Sequence, residues 1–71
     1  MTAEQIAADL TDRIKRREYK AGEQLPPYRV LADLYNVSFS TIARVMTLLR
    51  ERKVVISVPG RGVFVPDQPG R

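Results

Sequence analysis

LPPYRVLADLYNVSFSTIARVMTLLRERKVVISVPGRGVFV, residues 25–65, holds two hydrophobic periods in one run. Through Leu49 the apolar side chains return every three or four positions, the repeat of a helix with one buried face. From Val54 they return every second position, the repeat of a strand. This change of period, with Tyr35-Asn36-Val37 interrupting its first part, divides the stretch into two short helices around a tight turn and a hairpin closing on Gly-Arg-Gly.

Pro27 suits the first position of the earlier helix, where its missing N–H costs nothing, and Val30, Leu31 and Leu34 supply the expected buried stripe. Asn36 is able to take the left-handed conformation that ends such a helix, so the turn is Tyr35-Asn36-Val37. Ser38 then caps the next helix, and Ile42, Val45, Met46 and Leu49 repeat at i, i+3, i+4 and i+7 toward a core. A rotation of about 100° per residue places Ser40, Ala43, Arg44, Thr47 and Glu51 on the opposite side. Arg44 is the most informative of these, because a guanidinium presents two parallel donors to O6 and N7 of guanine, while Ser40 and Thr47 reach bases or phosphates. Any amphipathic helix has a polar side, and plain solvation accounts for Ser40 and Thr47 equally well. Phe39 has two readings: its ring lies against a thymine methyl, or it covers the end of the core.

In the hairpin, Val54, Ile56 and Val58 alternate with Val55 and Ser57, and Val63 to Val65 return after Pro59-Gly60-Arg61-Gly62. Two strands alone barely hold, so they must pack against the helices. Gly60 and Gly62 bring the backbone close to whatever lies outside. Arg61 is the one side chain at the tip able to enter a minor groove.

Upstream, Thr2 and Gln5 fit a capping box, and Ala3, Ile6, Leu10 and Ile14 recur at helical spacing up to about Arg17. The cations Arg13, Lys15, Arg16 and Arg17 read as a solvated face: they complement the end of the helix dipole, and Asp9 and Asp12 lie one turn upstream to pair with them. Lys20-Ala21-Gly22 breaks the pattern, with Gly22 suited to a positive φ, and Leu25-Pro26-Pro27 forces an extended, stiff link. The predicted fold is mainly α with a small β-hairpin, a three-helix winged helix-turn-helix. That architecture sets one helix, here residues 38–52, in the DNA major groove and a basic wing, residues 59–62, at the minor groove.

Seventy-one residues make one small domain, expected over 1–65, with 66–71 as a tail or the start of a linker. The net charge is +4, and its position says more than its size. Residues 1–24 hold five basic and five acidic groups, whereas Arg29, Arg44, Arg50, Arg52, Lys53 and Arg61 face only Asp33 and Glu51 in residues 25–65. A polyanionic partner follows; the plainer reading is that a modest surplus keeps a small domain soluble. Cysteine and histidine are absent, which removes disulfides, thiolate chemistry and the commonest zinc ligands. No signal peptide, membrane span, cofactor or metal is expected, and the composition suits a cytoplasmic protein. With no His or Cys, and no pair of carboxylates spaced on one face with an obvious pocket, an enzyme is not expected.

The residues also resemble a family, the N-terminal DNA-binding domain of GntR-type bacterial transcriptional regulators. The likeness spans about Ile6 to Val65. It rests on Tyr19-Lys20-Ala21-Gly22, Leu25-Pro26 with Arg29, Leu31-Ala32, Val37-Ser38 with Thr41, and Gly60-Arg61-Gly62 before Phe64-Val65. The resemblance implies DNA contacts from Arg29, Ser40, Thr41, Arg44 and Gly60-Arg61. Joined to the outward residues above, the candidate set is Arg29, Ser38, Phe39, Ser40, Thr41, Arg44, Thr47, Gly60, Arg61 and Gly62. The chain departs from the family at three places: Pro27-Tyr28 stands where Ser-Glu is frequent, Phe39 where arginine often follows Val-Ser, and Ala43 where a longer polar side chain is common. Base preference therefore does not transfer, and specificity leans on Arg29, Arg44 and DNA shape.

The expected function is sequence-specific binding of double-stranded DNA as a bacterial transcriptional regulator, a repressor, with a protein-docking winged helix as the alternative. Family members usually continue into an effector-binding, dimerising domain. The tail Pro66-Asp67-Gln68-Pro69-Gly70-Arg71 therefore reads either as the edge of a longer chain or as the end of a short regulator, without an effector site of its own. A lone module reads one half-site, so a homodimer on DNA is expected.

Overall fold

Three helices and one hairpin follow in chain order in the computed structural model, which describes residues 1–66; of the tail expected over 66–71, residues 67–71 lie outside the described residues. Helix α1 (Ala3–Lys15) opens on the capping box read from the sequence. Gln5 N–H donates to Thr2 Oγ1 at 3.1 Å, and Thr2 N–H donates to Gln5 Oε1 at 2.9 Å. Helix α2 (Tyr28–Tyr35) begins one residue later than expected, with Pro27 as its N-cap rather than its first member. Helix α3 (Phe39–Glu51) is capped by Ser38, as the spacing predicts.

All three helices stop in the same way. Arg17 (φ 68°), Asn36 (φ 55°) and Lys53 (φ 60°) take the left-handed conformation. The next amide in each case reaches back five residues: Glu18 to the Arg13 carbonyl at 3.0 Å, Val37 to Ala32 at 3.0 Å and Val54 to Leu49 at 2.9 Å. This stop ends α1 at Lys15, before the Arg17 limit read from the sequence. Asn36 suits its site; Arg17 and Lys53 carry a Cβ that this conformation opposes. Lys53→Gly is expected to raise stability by about 1 kcal/mol, read as a shift in the urea midpoint, with a smaller gain for Asn36→Gly.

The core lies between the helices and the inner side of the hairpin, and every buried side chain among the described residues is apolar. Helix α1 contributes Ile6, Ala7, Leu10 and Ile14, and α3 contributes Ile42, Val45, Met46 and Leu49, the four expected from periodicity. Helix α2 departs from expectation. Leu31 and Ala32 are buried, but Val30 and Leu34 are 47% and 55% exposed. Leu31, Ala32 and the half-buried Tyr28 and Tyr35 occupy the arc that meets the core, which turns Val30 and Leu34 to the other side of a two-turn helix.

Strands β1 (Ile56–Val58) and β2 (Gly62–Phe64) pair antiparallel, with Ile56 opposite Phe64 and Val58 opposite Gly62. Val55, Val63 and Val65 point into the core, while Ile56 stays exposed. The link between α1 and α2 joins this sheet, which the sequence reading did not foresee. Gly22 N–H donates to Val65 O at 2.8 Å, Val65 N–H to Glu23 O at 2.9 Å and Leu25 N–H to Val63 O at 2.8 Å. Gln24 thereby lies antiparallel to Phe64. The hairpin is held by a third extended segment, and Leu25 is buried beneath it.

Polar contacts fix the helices at their edges. The Tyr35 hydroxyl donates to Asp9 Oδ2 at 2.6 Å, and Arg13 Nε donates to the same oxygen at 2.9 Å. The tyrosine, then the arginine, holds the Asp9 carboxyl below its ordinary value of 3.8. Burial, and then Asp9, pushes the Tyr35 hydroxyl up. Because the folded carboxyl titrates below the unfolded one, its contribution is present above about pH 3.8 and is lost as pH falls through the lower folded value. Tyr35→Phe is expected to cost about 1 kcal/mol near pH 7 for this half-exposed contact, and the gap between variant and parent in urea unfolding should close only as pH falls below about 3.8.

Candidate nucleic-acid interface

Ser38 opens α3 with its hydroxyl: Oγ accepts from Thr41 N–H at 3.2 Å and lies 3.1 Å from Ser40 Oγ and 3.0 Å from Thr41 Oγ1. Three hydroxyls therefore gather at the first turn of the helix. Ser38 and Ser40 are exposed, and Thr41 is half-buried. Phe39 is 60% exposed, and its ring centroid sits 5.5 Å from that of Tyr28. Of the two readings of Phe39, covering the end of the core is therefore not what it does; the ring leans on Tyr28 and faces outward. The contact also places the start of α2, with exposed Arg29, beside the start of α3.

Farther along α3, Arg44 and Thr47 are exposed and Ala43 is half-buried, on the side facing away from Ile42, Val45, Met46 and Leu49. Thr47 is not a free hydroxyl. It donates to the Ala43 carbonyl at 3.1 Å and accepts from Arg50 Nη2 at 3.3 Å, which leaves mainly its methyl group and one lone pair to an outside partner. Arg50 also donates to the Tyr28 hydroxyl at 3.4 Å, so Tyr28 is flanked by Phe39 and Arg50. Sequence reasoning passed over Tyr28 and Arg50. The i, i+3 spacing of Thr47 and Arg50 was a usable signal, whereas the meeting with Tyr28 depends on how α2 packs.

The hairpin tip is a tight turn in which Arg61 N–H donates to Val58 O at 3.0 Å. Pro59 precedes Gly60, whose φ of 77° is the value a type II turn requires at that place. Arg61 is exposed between Gly60 and Gly62.

The cations of the described residues differ in pairing, and Lys15, Arg17, Lys20 and Lys53 are exposed without an ion pair. On α1, Arg13 pairs with Asp9 and Glu18, and Arg16 with Asp12; Arg52 pairs with Glu4 at 2.8 Å. The first two are the solvated face that the sequence suggested. Arg29, Arg44 and Arg61 make no ion pair and no side-chain hydrogen bond among the described residues, although all three are exposed. Their charge is available to an outside anion, whereas that of Arg13 and Arg16 is already answered locally.

Two helices joined at a tight turn, a third bracing them from behind, and a glycine-bearing hairpin beside them define a winged helix-turn-helix. Residues 2–65 match the family described as bacterial regulatory proteins, gntR family, and the chain belongs to it. It is 36% identical over 67 residues to the Exu regulon transcriptional regulator of Escherichia coli strain K12, a match covering 93% of this chain and 26% of that one. The chain thus spans about a quarter of that relative's length. Its fold is similar to that of a GntR family transcriptional regulator from Listeria monocytogenes, with a TM-score of 0.86, 29% identity, and coverage of 93% of this chain and 58% of that one. It is also similar in fold to the AraR DNA-binding domain solved in complex with operator ORR3, with a TM-score of 0.82, 24% identity, and coverage of 89% of this chain and 76% of that one. Among the described residues no helix is long and apolar enough to cross a membrane.

Proposed function

We propose that residues 1–65 form the sequence-specific DNA-binding domain of a bacterial transcriptional regulator, a cytoplasmic repressor without catalytic activity. The observation that carries this reading is the placement of three unpaired arginines: Arg29 at the start of α2, Arg44 on the outer side of α3 and Arg61 at the hairpin tip stand exposed without carboxylate partners among the described residues. Arg44 lies on the outer side of a helix whose inner side is fully buried, so the helix presents it rigidly. Membership of the gntR family supports the same reading.

Within it, α3 enters the major groove. Arg44 pairs with guanine O6 and N7, and Phe39, propped by Tyr28, meets a thymine methyl. Ser38, Ser40 and Thr41 approach phosphates at the first turn, Thr47 offers its methyl group, and Arg29 neutralises a phosphate from the start of α2. Arg61 enters the minor groove, presented by the positive-φ turn that Gly60 and Gly62 make possible. Two chains bind as a homodimer on a two-fold site, and the described residues hold no effector site. A protein-docking role has its own observation, the exposed Val30 and Leu34 on α2.

Selection of bound duplexes from a random pool, followed by titration at several salt concentrations, tests the proposal. The expected result is a recovered motif with guanine and thymine positions. Affinity should fall with salt at a slope of about −0.9 per phosphate neutralised. No enrichment, and no duplex binding at low salt, would transfer the case to protein docking. Complexes holding one chain on an isolated half-site would remove the homodimer.

A further inference from the structure

The two wing glycines do different work. A Cβ added to Gly60 would meet nothing within 4 Å, so that residue is needed only for its backbone angle. A Cβ added to Gly62 would lie 2.6 Å from Gln24 Nε2. The space that the missing side chain leaves is filled by the Gln24 carboxamide, which lies across the wing backbone and donates from Nε2 to the Arg61 carbonyl at 2.8 Å. Gln24 reaches that carbonyl because its own backbone runs beside β2, opposite Phe64, in the extended segment between α1 and α2. Leu25, the next residue, is buried and anchors the segment. The peptide units around Arg61 are thus tied on both sides, through Arg61 N–H to Val58 O at 3.0 Å and through the Arg61 carbonyl to Gln24.

We infer that Gln24 is the positioning residue of the wing: its carboxamide holds the Arg61 carbonyl over Gly62 and so sets the direction in which the Arg61 guanidinium leaves the tip. The inference rests on the reading of Arg61 as a minor-groove contact. A long side chain on a three-residue loop loses much of its value if the loop wanders, because the freedom removed on binding must then be given up at the moment of contact. One hydrogen bond from a rigid neighbouring segment removes part of that freedom beforehand. The N–H donor is the necessary part, since methionine matches glutamine closely in length but carries no donor.

A double-mutant cycle on the 71-residue chain tests this, using Gln24→Met, Arg61→Ala and the pair, with a duplex selected by the chain itself. Gln24→Met is expected to weaken binding by roughly two- to tenfold, the scale of one neutral hydrogen bond, in the parent chain. In the Arg61→Ala background it should change nothing, because the group it positions is gone. In the free domain, 15N relaxation at the Arg61 and Gly62 amides should show greater motion in Gln24→Met, with α3 unaffected. Equal weakening in both backgrounds, or no weakening in the parent with unchanged relaxation, overturns the role given to Gln24. If Arg61→Ala itself leaves affinity unchanged, the minor-groove contact is wrong, and the positioning role for DNA falls with it. That result is distinguishable because the Arg61→Ala variant reports it alone.

Discussion

Leu10→Ala should remove about half of the chain's stability. Leu10 is wholly buried at the middle of α1 and belongs to the same apolar cluster as Leu31, Met46 and Leu49. A leucine-to-alanine change in a packed core costs about 2–5 kcal/mol, the transfer energy of the lost atoms plus the cavity left behind. A chain of 71 residues has only about 4–10 kcal/mol in total to lose. Helix α1 contributes no candidate DNA contact, so any effect on operator binding would come through folding alone. Circular dichroism across a urea series measures it: the midpoint should fall sharply. A midpoint within the range of ordinary surface substitutions would mean that α1 is not part of the core described above.

Arg44→Ala should do the opposite, sparing the fold and removing recognition. The side chain is exposed and pairs with nothing among the described residues, so the urea midpoint should move by no more than about 0.5 kcal/mol equivalent. A bidentate arginine–guanine contact is worth about 1–3 kcal/mol of discrimination, which corresponds to roughly 5- to 150-fold in affinity for the preferred duplex. Affinity for unrelated duplexes should fall much less, because only the electrostatic share is lost there. The informative quantity is the ratio of the two affinities at one salt concentration, together with a renewed selection in which a single guanine position loses its preference. A parallel loss on every sequence would demote Arg44 to a phosphate contact, and no loss would remove it from the interface.

The third helix was fully legible in the sequence. Thirteen residues give more than three turns, Ser38 marks the start, and four aliphatic positions at i, i+3, i+4 and i+7 leave one choice of inward face. The outward placement of Ser40, Arg44 and Thr47 followed from that choice by rotation alone. The second helix was legible only as a helix. Eight residues make about two turns, and Tyr28, Val30, Leu31, Ala32, Leu34 and Tyr35 spread apolar surface over more than half of the cylinder, with Arg29 and Asp33 on the remaining arc. Periodicity set aside the Arg29–Asp33 side but could not choose within so wide an apolar arc, and the neighbouring helices decided which part was covered. The bond from Gln24 to the wing was illegible for another reason. Its partner is 37 residues away, and a four-residue extended segment has no repeat to read. The same holds for Tyr28 between Phe39 and Arg50, a meeting of side chains that exists only once α2 and α3 have docked.

Pairing the interhelical link with β2 has a consequence for how the domain opens. The wing is not an appendage that frays by itself, since its inner strand shares three backbone bonds with residues that also join α1 to α2. Amide protons of Gly22, Leu25 and Val65 should therefore exchange with deuterated solvent at a common rate, as one cooperative unit, and more slowly than the Arg61 amide at the tip. A regulator built on this module would feel a tug at the distal end of its hairpin as torque on the joint between its first two helices.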